Sequence, residues 1–191
     1  MKYSQIRNLD ISNGLGVGVS LFVQGCPFHC YNCFNPETWN FNGGKEWTEE
    51  TRKQFLTLID RPYIKRVSFL GGECLAEQNL DDVLSLIKEI RLSYPEKTIW
   101  LYTGYNVDID QFKITLPNNK IIYKPTLITK NDDSILSTVR SEILNNVDII
   151  IDGEYIDEQR DITLKWRGSS NQRVIDTKQS LAQNEIILYC D

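Results

Sequence analysis

The chain predicts an α/β fold built on a largely parallel sheet. Three observations carry that expectation. Short apolar runs of strand character alternate along the chain with segments of helical period. Most of those runs end in turns containing glycine. Hydrophobic residues at 41% and charged residues at 25% are ordinary globular values. A chain of 191 residues suits a single domain over 1–191, which buries roughly 70% of its unfolded surface without a metal or disulfide staple.

The elements follow in order. Residues 17–23 alternate, with Val17, Val19, Leu21 and Val23 on one face, as a strand does. Residues 48–60 place Thr51, Phe55, Leu58 and Ile59 at helical spacing. Val67-Ser68-Phe69-Leu70 is a short apolar run closed by Gly71-Gly72, a buried strand and its turn. Between 80 and 94, Leu80, Val83, Leu84, Ile87, Ile90 and Tyr94 form a helical stripe that Pro95 stops. Residues 98–103 read as a strand ending at Gly104, 132–145 as a helix, and 147–151 as a strand leading into Asp152-Gly153. Residues 172–176 and 186–189 read as late strands, while 106–130 show no clear period. In parallel α/β sheets ligands bind at the carboxyl ends of the strands. The cysteine loop after the first strand, Gly71-Gly72-Glu73, Thr103-Gly104-Tyr105 and Asp152-Gly153 are therefore expected at one mouth.

Charge and hydropathy narrow the class. Lys plus Arg is 21 and Asp plus Glu is 26, a formal charge of −5, so the chain lacks the basic footprint of a nucleic-acid binder. No apolar run approaches the roughly 18 residues of a membrane helix, and residues 1–8 lack the apolar core of a secretory signal. A cytoplasmic protein with neither a nucleic-acid nor a membrane partner is expected.

Of five cysteines, Cys26, Cys30 and Cys33 fall within eight residues as C-x₃-C-x₂-C. In a reducing compartment such a cluster reads first as a metal or catalytic site. Three thiolates suit an iron–sulfur cluster with one iron left without a protein ligand. They also suit a Cys₃His zinc site, although His29 directly precedes Cys30 and makes joint ligation by that pair awkward. Three ordinary thiols are the remaining alternative. Gly71 and Gly72 let the backbone approach a ligand and offer carbonyl acceptors; a simple strand-to-helix turn is the other reading. Cys74 and Cys190 read as spare thiols.

The cysteine loop, with Gly71-Gly72-Glu73 one βα unit later, resembles the radical S-adenosylmethionine enzymes. Further blocks narrow the likeness: Cys33-Phe34-Asn35-Pro36-Glu37-Thr38-Trp39 with Asn42-Gly43-Gly44, Trp100-Leu101-Tyr102-Thr103-Gly104-Tyr105, Asp152-Gly153, and Trp166-Arg167-Gly168-Ser169-Ser170-Asn171-Gln172-Arg173. Together they resemble the activating proteins of anaerobic ribonucleoside-triphosphate reductases. Three features depart from the usual pattern: Asn32 stands before the third cysteine where an aromatic is common, Cys74 follows Glu73 where proline is common, and 106–145 is long.

The resemblance implies a radical SAM fold, a partial (incomplete) TIM-type βα barrel. It implies that Cys26, Cys30 and Cys33 hold a [4Fe–4S] cluster whose fourth iron is open to S-adenosylmethionine (SAM). SAM is then expected against Asn32, Cys33, Phe34, Gly71, Gly72 and Glu73, with Thr103 and Tyr105 at its rim, and no catalytic side chain is required beyond the cluster and SAM. The implied reaction cleaves SAM reductively and leaves a glycyl radical on the large subunit of the reductase, with a flavodoxin-type electron donor. The last six residues contain no glycine, so the substrate glycine belongs to that partner. Residues 166–173 are expected at the cofactor rim or docking surface, or as a polar loop capping the last strands. The runners-up are another small radical SAM enzyme, acting on a different glycyl-radical protein or a small molecule, and a zinc-binding interaction module.

Overall fold

The computed structural model describes every residue except Asn118, Asp133 and Asp191. In chain order the strands are β1 (Lys2–Asp10), β2 (Gly18–Val23), β3 (Lys45–Glu46), β4 (Arg66–Gly71), β5 (Thr98–Tyr102), β6 (Val107–Thr115), β7 (Ile121–Thr129), β8 (Ile149–Asp152), β9 (Arg173–Asp176) and β10 (Leu188–Cys190). The helices are α1 (Glu49–Ile59), α2 (Leu80–Ser93), α3 (Ser137–Asn145) and α4 (Thr177–Gln183).

Eight strands form one sheet in the order β10-β9-β8-β5-β4-β2-β1-β3, and β6 and β7 form a separate antiparallel ribbon. The expected parallel arrangement holds at the centre, where β2, β4, β5 and β8 run parallel. It does not hold at the margins. β1 pairs antiparallel with β2 and β3, and β9 with β8 and β10. The sheet is open and does not close into a barrel.

The central strands carry the core because both of their faces are covered: all six residues of β2 are buried. One face of the sheet sends Val19, Leu21, Val23, Val67, Phe69, Ile99, Leu101 and Ile150 into the main core. There they meet Phe55 and Ile59 of α1, the stripe Leu80, Val83, Leu86, Ile87 and Ile90 of α2, and Ile143 and Leu144 of α3. α1 begins at Thr48, whose side chain accepts the Thr51 amide, and carries Glu49 and Glu50 in its first turn. The opposite face carries Trp100, Ile149, Ile151 and Val174, covered by Trp166 and Cys190 rather than by a helix. Among the described residues no helix is long and apolar enough to cross a membrane.

Several expectations are corrected here. The strand expected at 17–23 is not the first: β1 precedes it, and its mixed polar burial pattern conceals its period. Within the stretch that shows no clear period, Val107–Thr115 and Ile121–Thr129 form the β6–β7 ribbon, whose register runs unbroken from Val107↔Thr129 to Thr115↔Ile121. The helix expected from 132 begins at Ser137, because Asp132 instead accepts the Ser134 amide in a tight turn.

Candidate functional site

The site begins where two parallel strands run out. β2 and β4 pair through Val23↔Gly71, and the ladder continues past both ends: the Gly72 amide donates to the Val23 carbonyl at 2.8 Å and the Glu73 amide to the Gly25 carbonyl at 2.8 Å. The cysteine loop and the Gly71-Gly72-Glu73 turn are thus stitched backbone to backbone. Gly71 takes φ +101°, a left-handed region that glycine enters freely. Asn79, buried just before α2, donates its side-chain amide to the Gln24 carbonyl at 3.0 Å and the Glu73 carbonyl at 2.9 Å.

The Glu73 carboxyl reaches the next strand. It accepts from the Leu75 and Gly104 amides at 2.8 Å each and from the Thr103 hydroxyl at 2.8 Å. Burial pushes Glu73 up to about 7, against the pull of those donors and of Arg140. Its role in the fold is that of a tie between the end of β4 and the end of β5.

The cysteine loop is held at both ends. The Gly25 and Cys26 amides donate to the Thr38 and Trp39 carbonyls at 2.7 and 3.1 Å. The Gln24 side-chain amide donates to the carbonyls of Glu37 and Asn40. Within the loop His29 and Asn32 adopt left-handed φ of 51° and 55°, and the Cys33 amide closes onto the Cys30 carbonyl at 3.1 Å. All three thiols are half-exposed and unpaired. The Asn35 amide donates to the Cys33 sulfur at 3.4 Å. Burial pushes the Cys26 thiol up to about 11, while backbone hydrogen bonds from Phe28 and His29 favour its thiolate and the charges of Glu73 and Cys30 oppose it. Burial also raises Cys30, opposed by a backbone hydrogen bond from Tyr155. Among the described residues no three His, Cys, Asp or Glu side chains converge on a single metal ion.

Two adjoining hollows open at this edge. The smaller, of about 130 Å³, is lined by Cys26, Cys30, Gly71, Gly72, Glu73 and Thr103, among others. Two of the three expected thiols, Cys26 and Cys30, therefore share one mouth with the glycine turn, the β5 end and Gly153 after β8. Cys33, Asn32 and Tyr105 stand outside that lining. Asn32 donates to Asp157 at 2.9 Å, and Tyr105 packs edge-on against Phe28 at 5.1 Å. Phe34 instead lines the larger hollow, of about 560 Å³, on the helix-free face of the sheet, and packs against Tyr155 at 5.1 Å.

Residues that the sequence did not single out complete the site. Tyr155 hydrogen-bonds Asp157 at 2.6 Å and so braces Asn32 through a shared carboxylate. Arg140 of α3 donates to the Leu75 carbonyl at 2.9 Å, pairs with Asp132 at 2.7 Å and lies 5.0 Å over the Tyr105 ring. Gln24, Asn79 and Arg140 stand outside the motifs and meet only through the fold. The 166–173 block folds under β8: Arg173 pairs with Asp152, and Gln172 accepts the Gly168 amide and donates to the Gly153 carbonyl at 2.9 Å each. Cys74 lies in the core, away from solvent.

A family model described as a 4Fe-4S single cluster domain matches residues 12–175. The anaerobic ribonucleoside-triphosphate reductase-activating protein of Escherichia coli K12 is 32% identical over 176 residues, covering 91% of this chain and 97% of the relative. The chain belongs to the family of anaerobic ribonucleoside-triphosphate reductase-activating proteins. The activating protein of Vibrio cholerae is 33% identical over 90% of this chain and 96% of its own. That of Enterobacteria phage T4 is 34% identical over 91% and 93%. The residues matched by the family model include the cysteine loop, the glycine turn and the strands that carry them.

Proposed function

We propose that this protein is a radical SAM activase that generates a glycyl radical on the large subunit of anaerobic ribonucleoside-triphosphate reductase. The observation that carries the reading is the junction of the three-thiol loop with the Gly71-Gly72-Glu73 turn at one strand-end hollow, in a chain of the activating-protein family. We read the open sheet, helices on one face and cleft on the other, as an incomplete βα barrel, with residues 1–191 acting as one radical SAM domain in the cytoplasm.

The donor set fits a [4Fe–4S] cluster. Each cysteine is free, and backbone amides serve the sulfurs of Cys26, Cys30 and Cys33, the kind of contact that tunes a cluster's potential. Bound there, the cluster would supply the single electron for reductive cleavage of SAM, the chemistry needed to leave a glycyl radical on the reductase.

The chain's own residues bind and orient. Cys26, Cys30 and Cys33 would each ligate one iron. The carbonyls of Gly71 and Gly72 would accept from the methionine amino group, and the backbone from Asn32 to Phe34 would meet the adenine. Thr103 and Tyr105 would form the rim, with the Phe28–Tyr105 pair keeping water from one wall. Glu73 would fix the separation of the two strand ends rather than move a proton, and a flavodoxin-type protein would deliver the electron. Anaerobic reconstitution with iron and sulfide, followed by assay for 5′-deoxyadenosine and for a glycyl-radical signal on the reductase, tests the proposal. Both products are expected; a colourless protein that yields neither would overturn it.

A further inference from the structure

Of the side chains that separate the three cysteines, Pro27, His29, Tyr31 and Asn32 are exposed and Phe28 alone is half-buried. Phe28 is therefore the loop's own anchor on the rest of the fold. Its ring lies against the backbone at the end of β5, where a Cβ on Gly104 would stand 2.6 Å from it. It meets the Tyr105 ring at 5.1 Å and 78°. Its amide serves the Cys26 sulfur, so the seat of the ring also decides where that donor points.

Tyr105 depends in turn on a residue from a different part of the chain. The buried Arg140 guanidinium lies 5.0 Å over the Tyr105 ring. It is fixed there by its own donors: Nε donates to the Leu75 carbonyl at 2.9 Å, and Nη1 to Asp132 at 2.7 Å and the Ser134 hydroxyl at 3.1 Å. A cation over an aromatic face is drawn to the ring's quadrupole, more strongly where water is excluded. A planar guanidinium with its donors engaged holds that stacking in one place. α3 thus reaches the cysteine loop through a single packed chain, Arg140 to Tyr105 to Phe28.

We propose that Arg140 is a positioning residue for the cysteine loop: held over Tyr105, it keeps that ring against Phe28, and Phe28 sets the placement of Cys26 and Cys30 at the hollow. The proposal rests on the activase reading for what the loop holds, and adds to it the residue that keeps the loop in place before any cluster arrives. A role in stability alone would need only the bonds to Leu75, Asp132 and Ser134. The ring contact is what carries the effect of Arg140 to the thiols.

Amide hydrogen exchange over residues 26–33 of the full-length, cluster-free chain tests this without any turnover. Arg140→Gln and Tyr105→Leu are each expected to speed exchange there about tenfold while α1 and α2 keep their wild-type rates. The double variant should add little to either single one, because both act through one chain of contacts. Tyr105→Phe keeps the ring and should match the wild type, and Arg140→Lys keeps the cation and should recover part of the protection. After reconstitution, the reduced Arg140→Gln protein should show an altered paramagnetic resonance line shape before SAM is added. Wild-type exchange over 26–33 in Tyr105→Leu would overturn the proposal. So would faster exchange in Arg140→Gln spread evenly over the chain, which would make Arg140 a stability residue only. Failure of the reconstituted wild type to form 5′-deoxyadenosine, with the ring-dependent protection of the loop preserved, would instead count against the activase reading alone.

Discussion

Gly72 and Gly25 approach so closely that a Cβ on Gly72 would stand 2.4 Å from the Gly25 carbonyl oxygen. That oxygen already accepts the Glu73 amide, so the extra carbon would push apart the backbone bond that joins the glycine turn to the cysteine loop. Gly72→Ala is therefore expected to lose about 1–3 kcal/mol of stability through overpacking. It should also reduce the iron retained after reconstitution. Urea unfolding and iron analysis check both, and wild-type values in each would contradict the stitched junction.

Asn79 serves the same junction from below. Replacing it by Ala leaves the Gln24 and Glu73 carbonyls without their side-chain donor in a buried setting. A loss of about 1–3 kcal/mol is expected. Asn79→Asp should be worse still, since a carboxylate would face two carbonyl oxygens. Parallel urea titrations of the two variants decide it, and an Asp variant as stable as wild type would count against the bridge.

What the sequence revealed and what it concealed follow from where each signal resides. Leu80, Val83, Ile87 and Ile90 of the helix stripe and the run Val67 to Leu70 were legible because these side chains are buried and the period is kept, whereas Leu84 is only half-buried and Leu86, which the stripe left out, is buried. The cysteine loop and Gly71-Gly72-Glu73 were legible because their chemistry is local in sequence. β1 was not: its polar residues pair at a sheet margin and expose one side, so no apolar alternation marks it. The β6–β7 ribbon was hidden for a similar reason, with Phe112 and Tyr123 exposed and Pro125 inside a strand. Asn79, Gln24 and Arg140 carry no motif, and only the packed chain brings them to the strand ends.

The Asp132–Arg140 pair joins the ribbon's exit to α3 and, through Tyr105, to the cysteine loop. Burial acts to raise Asp132, but hydrogen bonds from Ser134, Arg140 and Thr129 outweigh it and hold the carboxyl down at about 2, below its ordinary 3.8. A depressed carboxyl stabilises the fold above its unfolded value and loses that contribution as pH falls through its folded value. The stability difference between wild type and Asp132→Asn should thus be full above about pH 4 and fade as pH drops toward about 2. Denaturation of both proteins across that window measures it. A difference that does not change with pH would show that the pair carries no titrating load.

Cys30 is half-exposed and its side chain anchors nothing in the core. Cys30→Ala should keep its fold, judged by circular dichroism, and lose the brown colour and the iron of the reconstituted protein. Cys190→Ala should retain both. Full iron in the Cys30 variant would remove it from the ligand set.

The electron paramagnetic resonance spectrum of the reduced, reconstituted protein, recorded before and after SAM is added, tests most directly whether one iron is left for the cofactor. The account predicts a [4Fe–4S]⁺ signal that changes shape and g values when SAM binds. A spectrum unaltered at saturating SAM would contradict it.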